Sequence, residues 1–137
     1  MRVMGIDLGE RRIGVALSDE GGVIASPRET LERKGNRRDI PHLLDMARRE
    51  NVGEILVGMP LSLDGSEGAQ ARKVARFVEA LRAETDLTVT TWDERLSTVS
   101  AERTLLEADL SREKRRRAID RVAAAIILQS YLDQKHA

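Results

Sequence analysis

Cysteine is absent from this chain of 137 residues. That excludes disulfides, thiolate zinc sites and a cysteine nucleophile, and it fits a reducing cytoplasm. His42 and His136 are the only two histidines, too few for a histidine-rich metal site. Phe77, Trp92 and Tyr131 are the only aromatic residues, which excludes a surface that stacks successive bases on rings. Any bound nucleic acid would be held by its backbone and shape. An excess of either charge is also missing, because 23 basic residues stand against 23 acidic ones. Net charge therefore says nothing about a polyanionic partner, and the distribution of charge must decide. No apolar run reaches the length of a signal-peptide core or a membrane span, so the expectation is a soluble, cytoplasmic protein without membrane contact. The length suits one domain, 1–137, able to bury one substantial core.

What is present begins with strands. "RVMGIDLG" is a nearly continuous apolar run, and "RRIGVALSDEGGVIASPRETL" adds two short strands broken at "DEGG". Three consecutive strands predict an antiparallel meander. Asp39 to Glu50 places Ile40, Leu43, Leu44 and Ala47 at helical spacing, with Pro41 near the expected helix start. "EILVGMP" reads as a buried strand, and "GAQARKVARFVEALRAE" carries Val74, Phe77, Val78 and Leu81 on one helical face. "LTVTTW" supplies a fifth strand, and "STVSAERTLLEA" starts a helix with Ser97 or Thr98 as its cap. From about Ile119 the chain is helical and apolar almost all round, so this last helix must be buried. The expected class is α/β: a five-stranded mixed sheet, meander first and parallel strands after, with helices on both faces. Pro60 to Gly68 and Leu110 to Arg117 read as loops.

Asp7 alternates with Val3 and Gly5 on one side of the first strand, where an apolar residue belongs. An unpaired carboxylate there would be costly, so it is either bonded for structural reasons or a metal ligand. "WDERLST" places Asp93 and Glu94 where the fifth strand ends, and "IDRVAAA" places Asp120 near the start of the last helix. Each has a plain alternative as a helix-terminal acid. Asp7, Glu94 and Asp120 nonetheless stand at the edges of the three most apolar segments, and a sheet packed by the last helix could bring them together. Carboxylates without histidine or cysteine suit hard cations such as Mg²⁺ or Mn²⁺. Such a cluster repels itself unless metal is bound. Two ions about 4 Å apart can activate a water and steady the leaving oxygen of a phosphodiester, which is nuclease chemistry.

"GIDLGERRIGVALSD", "ILVGMPLSLDGSEG", "WDERLSTVSAE" and "DRVAAAIILQSYLD", in this order from Met4 to Asp133, resemble the YqgF family, also called RuvX. The resemblance implies an RNase H-like domain whose metal site and catalytic residues are the acids at Asp7, Glu94 and Asp120. It further implies nuclease processing of the 5′ end of pre-16S rRNA, with ribosomal precursor particles as partners. An older role attributed to the family is Holliday junction resolution. Asp93 adjoins Glu94 and could share its part.

Several cations are candidates for nucleic-acid contact. Arg11 and Arg12 sit in the turn after Asp7, where guanidinium groups could meet phosphate, though solvated arginines are equally ordinary. Arg95 is aimed by its strand-end position toward the same cleft, or else only neutralises Asp93. "SREKRRRA" concentrates Arg112, Lys114, Arg115, Arg116 and Arg117 just before Asp120, as a backbone grip or a solvated face. The glycine-containing loop after "EILVGMP" lacks the Lys and Thr of a P-loop. Two rival classes stand beside the nuclease. One is an ATP-binding module, because the first motif also resembles the phosphate loop of the sugar-kinase and actin superfamily, which needs two such domains. The other is a nucleic-acid-binding protein that keeps the fold without the activity. RNA or DNA as substrate, and a monomer or a homodimer, stay open, although symmetric junction cutting requires a twofold dimer.

Overall fold

Burial of the first two strands on both faces sets the architecture. β1 (Arg2–Leu8), β2 (Arg12–Ser18) and β3 (Ala25–Glu32) form the antiparallel meander. α1 (Asn36–Arg49) leads to β4 (Val52–Met59), α2 (Ala69–Ala83) and β5 (Thr88–Asp93), and β4 pairs parallel with both β1 and β5. A 3₁₀ turn, Glu94–Leu96, precedes α3 (Val99–Glu107) and α4 (Arg112–Lys135). The strand order is β3-β2-β1-β4-β5. The structure, a computed structural model, describes residues 1–107 and 112–137, with the side chains of 107 and 112–115 outside that description. No helix among the described residues is long and apolar enough to cross a membrane.

The two faces of the sheet differ in residue size, and the difference places α4. On one face Met4, Ile6, Ile13, Val15, Ile55 and Val57 pack against Ile40, Leu43, Phe77 and Leu81 of α1 and α2. These are large side chains meeting large side chains, as a helix-on-sheet layer requires. On the other face Val3, Ala16 and Leu56 meet Ala123, Ala124, Ile127 and Leu128 of α4. Small residues there let the helix backbone come down onto the strands. A methyl group at Gly5 would stand 2.9 Å from Leu128 Cβ, and one at Gly14 would overlap the Asp120 carbonyl. Gly14 lies opposite Asp7 in the ladder, so the contact that demands glycine also sets Asp120 over the end of β1.

Two boundaries differ from expectation. α1 begins at Asn36 rather than Asp39, with Pro41 inside it. Asp39 is buried and its carboxylate takes Arg33 Nε at 2.9 Å and the Lys34 N–H at 3.1 Å, tying the entry of the helix down ahead of the apolar residues. The stretch read as a loop from Leu110 to Arg117 is helical from Arg112 onward. Arg, Lys and Glu are good helix formers, so the polar run joins the helix and not a connection. Residues 108–111 of that stretch lie outside the described residues. Asp120 consequently sits well inside α4 rather than at its first turn, which removes the plain reading of it as a capping acid.

Candidate active site

The carboxyl ends of β1 and β5 and the inner face of α4 open onto one cleft of about 430 Å³, lined among others by Asp7, Glu94, Asp120, Arg12, Arg103 and Arg116. Open α/β sheets place ligand sites at the carboxyl ends of their parallel strands. Asp7 reaches the cleft because alternation puts it with Val3 and Gly5 on the α4 face. Asp93 and Glu94 part company where β5 ends and the 3₁₀ turn begins. Glu94 lines the cleft. Asp93 instead caps the 3₁₀ turn through the Arg95 N–H at 3.0 Å and pairs with the Arg95 guanidinium at 2.6 Å. Its carboxyl is held below the ordinary range chiefly by those Arg95 bonds. Gly58 leaves room for Glu94, because a methyl there would come within 3.1 Å of Oε2.

The electrostatics of the acids are unusual. Asp7 is only 7% exposed. Burial raises its pKa although Arg103 Nη2 donates to Oδ2 at 2.6 Å. A carboxyl group still hard to ionise beside a guanidinium has capacity for further positive charge. Glu94 is pushed up to about 7, first by burial and then by the negative charge of Asp7. Asp120 accepts from Arg12 Nε at 2.7 Å. Arg103 is held above its ordinary value: burial works against its charge, but the charges of Asp7 and Glu94 outweigh it.

The donors fit a hard divalent ion in kind, since every candidate ligand is a carboxylate oxygen. Their spacing here is wider than that of a single-ion ligand set. Among the described residues no three acidic, histidine or cysteine side chains stand close enough to hold one ion. Asp7, Glu94 and Asp120 share a cleft, in which Arg103 engages Asp7 and Arg12 engages Asp120. Like-charged carboxylates in a low-dielectric cleft draw in cationic side chains, and arginines are the ones within reach.

The candidate cations separate. Arg12 and Arg116 line the cleft. Arg11 is exposed and is not among the lining residues. Arg95 is turned away, bonded to Asp93 and donating from Nη1 to the Leu63 carbonyl at 3.2 Å, so it straps the Pro60 to Gly68 loop. Arg117 pairs with Glu32 of β3 at 3.3 Å. The side chains of Lys114 and Arg115 lie outside the described residues. Arg103 was not singled out from the sequence. The available signal was helical spacing: Arg103 follows buried Val99 by one turn and so shares its inward face.

The architecture has counterparts. RuvC from Thermus thermophilus in complex with Holliday junction substrate superposes with a TM-score of 0.63 at 17% identity, covering 100% of this chain and 97% of that one. The Fowlpox virus resolvase in its complex with Holliday junction DNA gives a TM-score of 0.58 at 9% identity, covering 100% of both chains. At these identities the likeness shows the fold alone, and the fold is RNase H-like. A protein of Clostridioides difficile (strain 630) named "Putative pre-16S rRNA nuclease" is 49% identical over 134 residues, 98% of this chain and 95% of its own length. A protein of the same name from Halothermothrix orenii is 49% identical over 136 residues, 99% of this chain and 97% of its own. The family model RuvX, described as a Holliday junction resolvase, matches residues 1–134. A match of that extent, together with relatives of this identity and near-equal length, shows that the chain belongs to the RuvX family.

Proposed function

We propose that this protein is a divalent-metal-dependent nuclease that hydrolyses phosphodiester bonds in precursor 16S rRNA, processing its 5′ end during ribosome assembly. The observation that carries the reading is the presence of Asp7, Glu94 and Asp120, from three separate elements, around one cleft that also presents arginines. The names of the relatives support the RNA substrate. Asp7 and Asp120, with Glu94, are the residues that would hold Mg²⁺ or Mn²⁺, and the ion would supply Lewis acidity and an activated water at a phosphodiester. The chain itself contributes position. β1 fixes Asp7, the close seat of α4 on Gly14 fixes Asp120, and the 3₁₀ turn presents Glu94. Arg12 and Arg116, which line the cleft, would meet the charge of a phosphate backbone.

The test compares the protein with its Asp7→Asn variant on matched RNA, single-stranded DNA and four-way junctions, with Mg²⁺, Mn²⁺ or chelator. Metal-dependent cleavage of RNA is expected, reduced at least roughly 100-fold by loss of the ligand charge. Equal cleavage by both proteins would sink the metal site. Faster cleavage of the junction than of RNA, by a twofold dimer, would favour Holliday junction resolution, the reading attached to the family description.

A further inference from the structure

Four cations stand within "RKGNRR", Arg33 to Arg38, and no acid interrupts them. Arg33 is committed to the fold: it donates to buried Asp39 at 2.9 Å and to Asn36 Oδ1 at 2.7 Å, and lies 5.9 Å over the Phe77 ring of α2. Gly35 turns the chain at φ 98°, a conformation that favours glycine. The other three cations, Lys34, Arg37 and Arg38, are left exposed. Among the described residues none of them enters an ion pair. Arg37 and Arg38 moreover stand in the first turn of α1, where a cation opposes the helix dipole. A local rule broken without compensation inside the fold marks a functional surface.

The segment borders a groove of about 280 Å³ lined by Arg33, Gly35 and Lys73. Leu8, Gly9 and Gln70 line this groove and the candidate active cleft alike, so the one opens into the other. Among the described residues the groove lining holds one acid, Glu10, and Lys73 pairs with it at 3.5 Å. In the cleft four carboxylates face three guanidinium groups. A polyanion is therefore repelled where the acids lie and attracted next door. Phe77 is buried beneath Arg33 and offers no ring to a base. We propose that this groove, with Lys34, Arg37 and Arg38 beside it, binds the phosphate backbone of the RNA substrate beyond the scissile bond. It supplies affinity that needs no metal and reads no sequence. The proposal rests on the reading of the cleft as a nuclease site for RNA.

Binding is measured by fluorescence anisotropy with a labelled single-stranded RNA of about 20 nucleotides, over a salt series, in chelator and in Ca²⁺. The combined Lys34→Gln, Arg37→Gln and Arg38→Gln variant is expected to bind at least about tenfold more weakly, with a salt slope smaller by roughly 2. The factor should be the same in chelator and in Ca²⁺. Its melting temperature should not fall, because the cations it loses oppose the helix dipole. Arg37→Lys with Arg38→Lys, which keeps the charge, should stay within about threefold of the unaltered protein. So should the combined Arg28→Gln, Arg48→Gln and Arg49→Gln variant, which removes as much charge from exposed positions near Glu50, at the other end of α1. Unchanged affinity in the groove variant, or an equal loss in the Arg28, Arg48 and Arg49 variant, overturns the groove, and so does an equal loss in the charge-keeping variant. Metal-dependent RNA cleavage sensitive to Asp7→Asn would stand in each case. Absence of RNA binding by the unaltered protein in both conditions overturns the RNA reading itself, and this proposal with it.

Discussion

Glu94 shows how one side chain records the character of its surroundings. Its carboxyl sits beside the charge of Asp7 under partial cover, and its pKa moves from 4.5 to about 7. The folded protein therefore holds a proton that the unfolded chain has released across that window. Stability from this group is fully present below about pH 4.5 and is lost as pH rises through about 7. In chelator, the melting temperature should fall by a few degrees between those values, and Glu94→Gln should flatten that part of the profile. An unaltered profile in the variant would show that Glu94 is not the titrating group. The same ionisation is a requirement of metal binding, since a protonated carboxyl is a poor ligand. Divalent cations should thus reverse the trend and stabilise the protein more at pH 8 than at pH 6. Asp93, one residue away, is not among the residues that line the cleft and pairs with Arg95 instead.

At the level of elements, α4 decides which cations serve the cleft. A helix distributes consecutive residues around its axis at about 100° each, so a basic run in helical form cannot act as one patch. Arg116 stands one turn before Asp120, and both line the cleft. Arg117 is rotated toward β3 and pairs with Glu32. Measured over a salt series in Ca²⁺, Arg116→Ala should lower the slope of log affinity for RNA against log salt by roughly 0.7. Arg117→Ala should leave the slope unchanged. Equal effects from the two substitutions would mean that the run acts as a diffuse patch, as its loop reading in the sequence implied. The meander, the parallel strands and their order of appearance were legible because short apolar runs and glycine-marked turns are local signals. The start of α4 was not, because a run of charged helix formers carries no apolar period to mark it. Nor was the strap formed by Arg95, which depends on the Leu63 carbonyl brought alongside by the path of the loop.

For the whole molecule, balance of charge becomes the functional question. The chain carries 23 basic and 23 acidic residues, and the lining of the cleft sets Asp7, Glu10, Glu94 and Asp120 against Arg12, Arg103 and Arg116. That Asp7, Glu94 and Asp120 border one cleft was legible because each stands at the edge of an apolar segment. Their engagement by arginine was hidden, because Arg12 and Asp120 are distant in sequence and are joined only by the seat of α4 on β2. A phosphate backbone approaching that lining meets carboxylates as well as guanidinium groups, so protein charge alone gives a weak grip. A bound divalent ion becomes the largest local charge and reverses the sign of the field. Ca²⁺, which suits oxygen donors, is the appropriate probe of binding. At constant ionic strength, affinity for RNA is expected to rise at least about tenfold between chelator and saturating Ca²⁺, a gain that Asp7→Asn should largely remove. Equal affinity with and without Ca²⁺ would show that the arginines hold nucleic acid unaided, and would separate the binding surface from the acidic cleft.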